Sequence, residues 1–277
     1  MKNTLLKSLV VAGALAASVS AQADNIGGII INPGFHIEVA SIFENPVFAV
    51  GQTLAGFGEV SQINGTANFC AGGLGTCELT YRFGGYTVTT LTATTFSFTG
   101  GWINFYVGTG VNNDFNPYAS ASSAADIAAA TNGTLWLTLA GHAINALGNT
   151  LAGSGTNIGS GNDAGSGSGL LDVDLTGLLN GNTAGAGAAA NGNFNTNSVF
   201  AAFGGGNADF LLTSSFFALN QPHPTECSAG ILTSCLTGSA DLRGLAVPEP
   251  ATLGLLGAGL LGAAVVGRAR RGRKSKA

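Results

Sequence analysis

Charge is what this sequence has least of. Only 9% of its 277 residues are Asp, Glu, Lys or Arg. Between Asp24 and Val247 there is no lysine, and Arg82 and Arg243 stand alone against thirteen carboxylates, a net charge of −11. The whole-chain value of −4 hides this, because the other cations are gathered at the two ends. Affinity for nucleic acid comes mainly from Lys and Arg on phosphates, so the acidic body excludes a nucleic-acid partner. Its carboxylates serve instead to keep a Gly/Asn/Thr-rich domain soluble. Histidine is also scarce. His36, His142 and His223 are the whole set, and no two lie at metal-ligand spacing. A G-x-S-x-G nucleophile elbow is missing. With no local catalytic signature, the chain is read as non-enzymatic and without a cofactor.

Long apolar runs are confined to the ends. At the start, Lys2 and Lys7 precede an apolar run from Leu9 to Ala17 and then Ala21-Gln22-Ala23. This order predicts a secretory signal peptide over residues 1–23, with cleavage after Ala23. At the other end stand Pro248-Glu249-Pro250, the uncharged segment Ala251–Gly267, and Arg268, Arg270, Arg271, Arg273, Lys274 and Lys276. A helix over 251–267 would be about 25 Å long, slightly short of the roughly 30 Å hydrocarbon layer. The prolines forbid helix upstream. The basic cluster would hold the C-terminus on the cytoplasmic side of the inner membrane. Gly254, Ala258 and Gly262, at every fourth position, would let another helix approach closely.

This three-part ending resembles the PEP-CTERM sorting signal of Gram-negative bacteria. The resemblance covers residues 247–277 and rests on Pro248-Glu249-Pro250, the apolar segment and the basic tail together. It implies an exosortase-type membrane processing enzyme as partner, transient anchoring in the inner membrane, removal of the tail near Pro-Glu-Pro, and delivery to the cell surface or extracellular matrix. It also implies the company of exopolysaccharide, biofilm or floc formation. Paired cysteines, the Gly-rich body and the DLRG before the signal resemble the flocculation-associated type.

The intervening residues 24–246 are expected to form one exported all-β domain, an antiparallel sandwich-like body with long Gly/Asn-rich loops. Glycine is abundant, at 44 residues. Phe35–Phe43 and Thr53–Ile63 read as strands. Glu78–Phe83 and Tyr86–Leu91 flank Gly84-Gly85, and Thr94–Thr99 and Trp102–Val107 flank Gly100-Gly101. Both glycine pairs have the composition of two-residue hairpin turns, so a four-stranded meander is predicted there. Further strands are expected at Thr134–Leu139, Leu170–Gly177 and Asn207–Leu219, and a short helix within Ala119–Ala130. Residues 152–169 and 180–197 read as flexible insertions.

The four cysteines allow three disulfide connectivities, of which the local pairs Cys70–Cys77 and Cys227–Cys235 close short loops. Their C-x6-C and C-x7-C spacings do not suit zinc. Calcium has weak candidates in Asp163, within a Gly-Ser-Gly-Asn-Asp turn, and in Asp172 and Asp174, whose loop lacks a glutamate at its twelfth position. Tyr86, Trp102 and Trp136 suit either packing or stacking on sugar rings. The resulting expectation is a surface or matrix protein. Its rival is a carbohydrate- or calcium-binding module with a defined pocket, and a secreted hydrolase is the least favoured reading.

Overall fold

Strands that alternate inward and outward dominate the chain, and they pair into one antiparallel sheet that closes on itself. The computed structural model describes residues 23–32, 36–200, 207–218 and 236–246. A small hairpin comes first, β1 (Asp24–Ile26) and β2 (Ile29–Ile31). The main sheet contains β3 (His36–Glu44), β4 (Thr53–Ile63), β5 (Cys77–Leu91), β6 (Thr95–Thr109), β7 (Thr134–His142), β8 (Asn149–Thr156) and β9 (Ala164–Val173). Beyond the two-residue strands β10 (Val199–Phe200) and β11 (Asn207–Ala208), β12 (Phe210–Phe217) and β13 (Leu236–Gly244) complete it.

The closure follows from the pairings. β3 to β6 are hydrogen-bonded in sequence, β12 joins β13, β13 joins β3, and β12 also joins β9. Between β6 and β9 two strands lie end to end. β7 pairs with Trp102–Val107 of β6, and β8 pairs with Thr95–Thr99. The result is a barrel-like sheet of eight positions, one of them shared by β7 and β8.

The expected sandwich is thus corrected to a barrel, and the glycine pairs explain why. Gly84-Gly85 and Gly100-Gly101 are not turns. They lie in the middle of β5 and β6, two 15-residue strands that cross the whole barrel, with Gly84 opposite Trp102 and Tyr86 opposite Gly100. On β5 Leu79, Tyr81 and Phe83 are buried at alternate positions, and the buried set then resumes at Tyr86 and Val88, one residue out of step. Gly85 and Gly100 both have φ +72°, a conformation that side chains resist and that permits this offset. One curled sheet therefore replaces the two flat ones of a sandwich.

Glycine also makes room for rings. Gly56 pairs with Phe83, Gly58 with Tyr81, Gly153 with Phe96, Gly165 with Phe216 and Gly244 with Phe210. A Cβ at Gly56 would come within 2.6 Å of the Phe83 ring. This corrects the reading of 152–169 as a loop. Most of it is β8 and β9, with glycines at alternate positions beneath aromatic rings and Ser154 and Ser166 exposed. Apolar side chains face the lumen, while Arg82, Thr89, Thr213 and Ser239 are exposed on the outer wall. That is the reverse of a lipid-facing barrel.

One end of the barrel is plugged. Ile26, Ile29 and Ile31 of the first hairpin are buried there, beside Trp136, Phe194 and Phe210. Trp136 donates its Nε1–H to the Ile26 carbonyl at 2.7 Å. Burial of each large ring contributes roughly 2 kcal/mol. Residues 180–197 supply part of the plug, with Ala190 and Phe194 fully buried, so this stretch is packed rather than a free insertion. The expected disulfide Cys70–Cys77 is present and straps the β4–β5 connection beside β2. Helix α1 (Ser123–Ala130), within the expected span, is capped by Ser122 and covers Phe43 and Phe57 on the outer wall.

Candidate functional site

The opposite end of the lumen is hollow. A cavity of about 80 Å3 lies between the last residues of β3, the β8–β9 turn and the aromatic rows of β5 and β6. Its wall is apolar, built from Ile42, Leu54, Phe83, Phe96, Phe98 and Phe216 among others. The polar exceptions include Glu44, Asp163 and Tyr86.

Glu44 arrives by strand alternation. Ile42 and Glu44 face the lumen, and Phe43 between them packs outside under α1. Glu44 is 8% exposed, and among the described residues no hydrogen bond reaches its carboxyl. Burial, reinforced by the neighbouring Asp163 carboxylate, pushes its pKa up to about 8. Asp163 is equally enclosed, and burial raises its pKa too, opposed by backbone N–H groups of the turn including Ser160 at 3.0 Å. Tyr86 is 2% exposed, and its hydroxyl, shielded from solvent, has no hydrogen-bond partner among the described residues. Burial lifts the Tyr86 pKa beyond the ordinary phenol range. Tyr81, by contrast, donates its hydroxyl to the Ser41 carbonyl at 2.9 Å.

A second buried acid lies outside the barrel. Glu78, on the outward face of β5, accepts from the Phe115 N–H at 2.9 Å through Oε2, while its Oε1 is shielded and unpartnered. Burial, with Glu59 and Asp114 nearby, raises its pKa to about 7. Neither Glu44 nor Glu78 was singled out in the sequence. For Glu44 the signal is an acid at a strand end two residues after the apolar Ile42, whereas Glu78, with Thr76 and Thr80 two residues away, carries no such signal.

The calcium candidates are dispersed. Asp163 belongs to the cavity, Asp172 meets His142 Nδ1 at 2.7 Å across β7 and β9, and Asp174 is fully buried in a turn. The Asp174 carboxylate accepts the N–H groups of Thr176, Gly177 and Leu179 and the Thr176 hydroxyl, so its oxygens are already engaged. Among the described residues no three His, Cys, Asp or Glu side chains converge on a metal-sized site. The three aromatic candidates are dispersed as well. Tyr86 lines the cavity, Trp136 is in the plugged end, and Trp102 lies over Gly84 and Gly85 on the outside.

The expected signal peptide up to residue 22, His223, the expected Cys227–Cys235 pairing, Pro248-Glu249-Pro250, the apolar segment 251–267 and the basic tail 268–276 lie outside the described residues, as does the side chain of His36. Among the described residues no helix is long and apolar enough to cross a membrane.

No curated protein and no solved structure matches the chain. The barrel therefore stands on its own geometry. The ending does not. Residues 246–271 match the family model described as the PEP-CTERM protein-sorting motif, which marks a PEP-CTERM domain-containing protein, a substrate of exosortase that is exported to the cell surface or beyond it.

Proposed function

We propose that this chain is a non-catalytic surface or matrix protein whose barrel is the cargo and whose last thirty or so residues are its address. The observation that carries the reading is the sorting motif following directly on β13, whose last residue is Gly244. A folded domain with an inward apolar face and an outward Thr/Ser face suits release into an aqueous exterior. In this reading residues 1–23 direct export, the segment 251–267 anchors the precursor transiently in the inner membrane, and an exosortase-type enzyme removes the tail. The mature protein then joins extracellular polysaccharide in biofilm or floc formation. Polysaccharide would meet the outer wall, because a cavity of about 80 Å3 is well below the roughly 150 Å3 that accepts a benzene and so excludes a sugar ring.

Two variants test the address. Deleting 247–277 releases soluble barrel into periplasm or medium. Changing Pro248 and Pro250 to Ala leaves the apolar segment and basic tail, so insertion survives while processing stops and precursor accumulates in the inner membrane. Fractionation with immunoblotting reads both. Normal processing of the double proline variant would reduce the tail to a plain anchor. Cell aggregation that is unchanged when the protein is absent would remove the biofilm role.

A further inference from the structure

The hollow end of the barrel holds acids that the sorting function does not use. We propose that the cavity bounded by Glu44, Asp163 and Tyr86 is a binding site for a small alkylammonium ion, its head at the carboxyls and its short chain against the aromatic wall.

Three observations converge. The cavity is real space inside a sheet that elsewhere packs ring on glycine. Glu44, at 8% exposure, faces it from the end of β3 with no hydrogen bond among the described residues, and Asp163, at 3%, faces it from the β8–β9 turn, whose Ser160 N–H it accepts at 3.0 Å. Among the described residues no basic side chain neutralises them, since Arg82 and Arg243 are exposed on the outside. Buried carboxylates are ordinarily paired. Tyr86 adds a shielded hydroxyl without a partner among the described residues, in a domain where Trp136, Asp174 and Asp209 find theirs.

The ligand class follows from the chemistry. A cation answers the two carboxyls. An organic cation answers the walls, because an ammonium near Tyr81, Phe83 and Phe98 gains from their ring faces and its methylenes leave water. Ammonium N–H groups can also satisfy Glu44. The volume limits the body to about four heavy atoms by comparison with benzene in a cavity twice the size. At the ceiling for very small ligands, such a molecule binds no tighter than a Kd of about 40 µM.

Binding is coupled to protons. Glu44 must be ionised to hold the cation, and its carboxyl keeps its proton up to about pH 8 in the empty protein. The titratable groups facing it are Asp163, Tyr81 and Tyr86. Affinity for the ammonium therefore rises between pH 6 and 8, with one proton released per ion bound.

The test is calorimetric titration of the purified full-length protein with n-propylammonium, and with 1-propanol as the neutral match. The expected result is saturable sub-millimolar binding of the ammonium, at least tenfold weaker binding of the alcohol, and tightening with pH. Glu44→Gln should weaken the ammonium at least tenfold and remove the pH dependence. Ala240→Leu, which fills the cavity without touching charge, should abolish binding. Glu59→Gln, an acid outside the barrel, should change nothing. Circular dichroism checks that each variant is folded, and if Glu44→Gln is not, Ala240→Leu and the pH series decide. Equal binding of ammonium and alcohol, indifference to Glu44→Gln, or no saturation by 50 mM would each overturn the proposal, the last meaning that only water fills the space.

Discussion

The two ends of the barrel differ in how they treat buried polar groups. At the plugged end Asp209 is 1% exposed, yet its carboxylate accepts N–H groups from Val173, Thr196 and Asn197 at 2.6–2.8 Å. Beside it Trp136 donates its Nε1–H to the Ile26 carbonyl at 2.7 Å. At the hollow end the Tyr86 hydroxyl is shielded from solvent and Glu44 is 8% exposed, and among the described residues neither has a hydrogen-bond partner. A buried polar group with partners rigidifies a fold, and one without them costs its desolvation. The first end is built for stability. The second retains an unfavourable arrangement, which is where ligand sites concentrate.

The contrast can be broken most forcefully at the plugged end. Asp209→Ala leaves three backbone donors without an acceptor, and at 1–3 kcal/mol for each buried orphan the expected loss is about 4 kcal/mol in urea unfolding. A loss near zero would mean that this end is no better ordered than the other.

Between the ends, Gly101→Ala sets a methyl against the Tyr86 ring at a backbone φ of +90°. Strain and overpacking together predict a loss of about 3 kcal/mol in chemical denaturation. A cost under about 1 kcal/mol would show that the ring escapes into the hollow.

Replacing Cys70 and Cys77 together by Ala opens a loop with a sequence separation of 7 and should lower stability by about 2 kcal/mol. Thermal unfolding under oxidising and reducing conditions measures it. Wild-type protein should show the same loss on reduction if this bond is the one that matters.

The hollow end itself is probed through its pH dependence. The folded form keeps the Glu44 proton where the unfolded chain has lost it. Stability from this group is therefore greatest at acid pH, declines as pH rises from about 4.5 and levels off above about 8. Glu78 acts in the same direction up to about 7. Glu44→Gln should raise the melting temperature by a few degrees at pH 9 and leave it nearly unchanged at pH 4. A melting temperature that rises with pH in the wild type would contradict the burial of both acids.

What the sequence determined by itself is local. The sorting ending is a contiguous string, so its three parts could be read directly. The strands β3 and β4 were legible from alternation and β-branched residues, α1 from its alanines, and Cys70–Cys77 from a short spacing that favours closure. What tertiary structure decided is whatever depends on strands distant in sequence. Gly84-Gly85 and Gly100-Gly101 have turn composition, and only their position opposite one another across β5 and β6 makes them the bend of a barrel. The glycines of 152–169 have linker composition, because their partners stand far away in sequence, Phe96 being 57 residues from Gly153 and Phe216 being 51 from Gly165. Their alternate spacing was the readable trace. The same holds for the cavity. Glu44 and Asp163 are 119 positions apart, and closure of the sheet brings them to one lumen. Composition sets how many acids a chain carries, but pairing in space decides which of them lose their water.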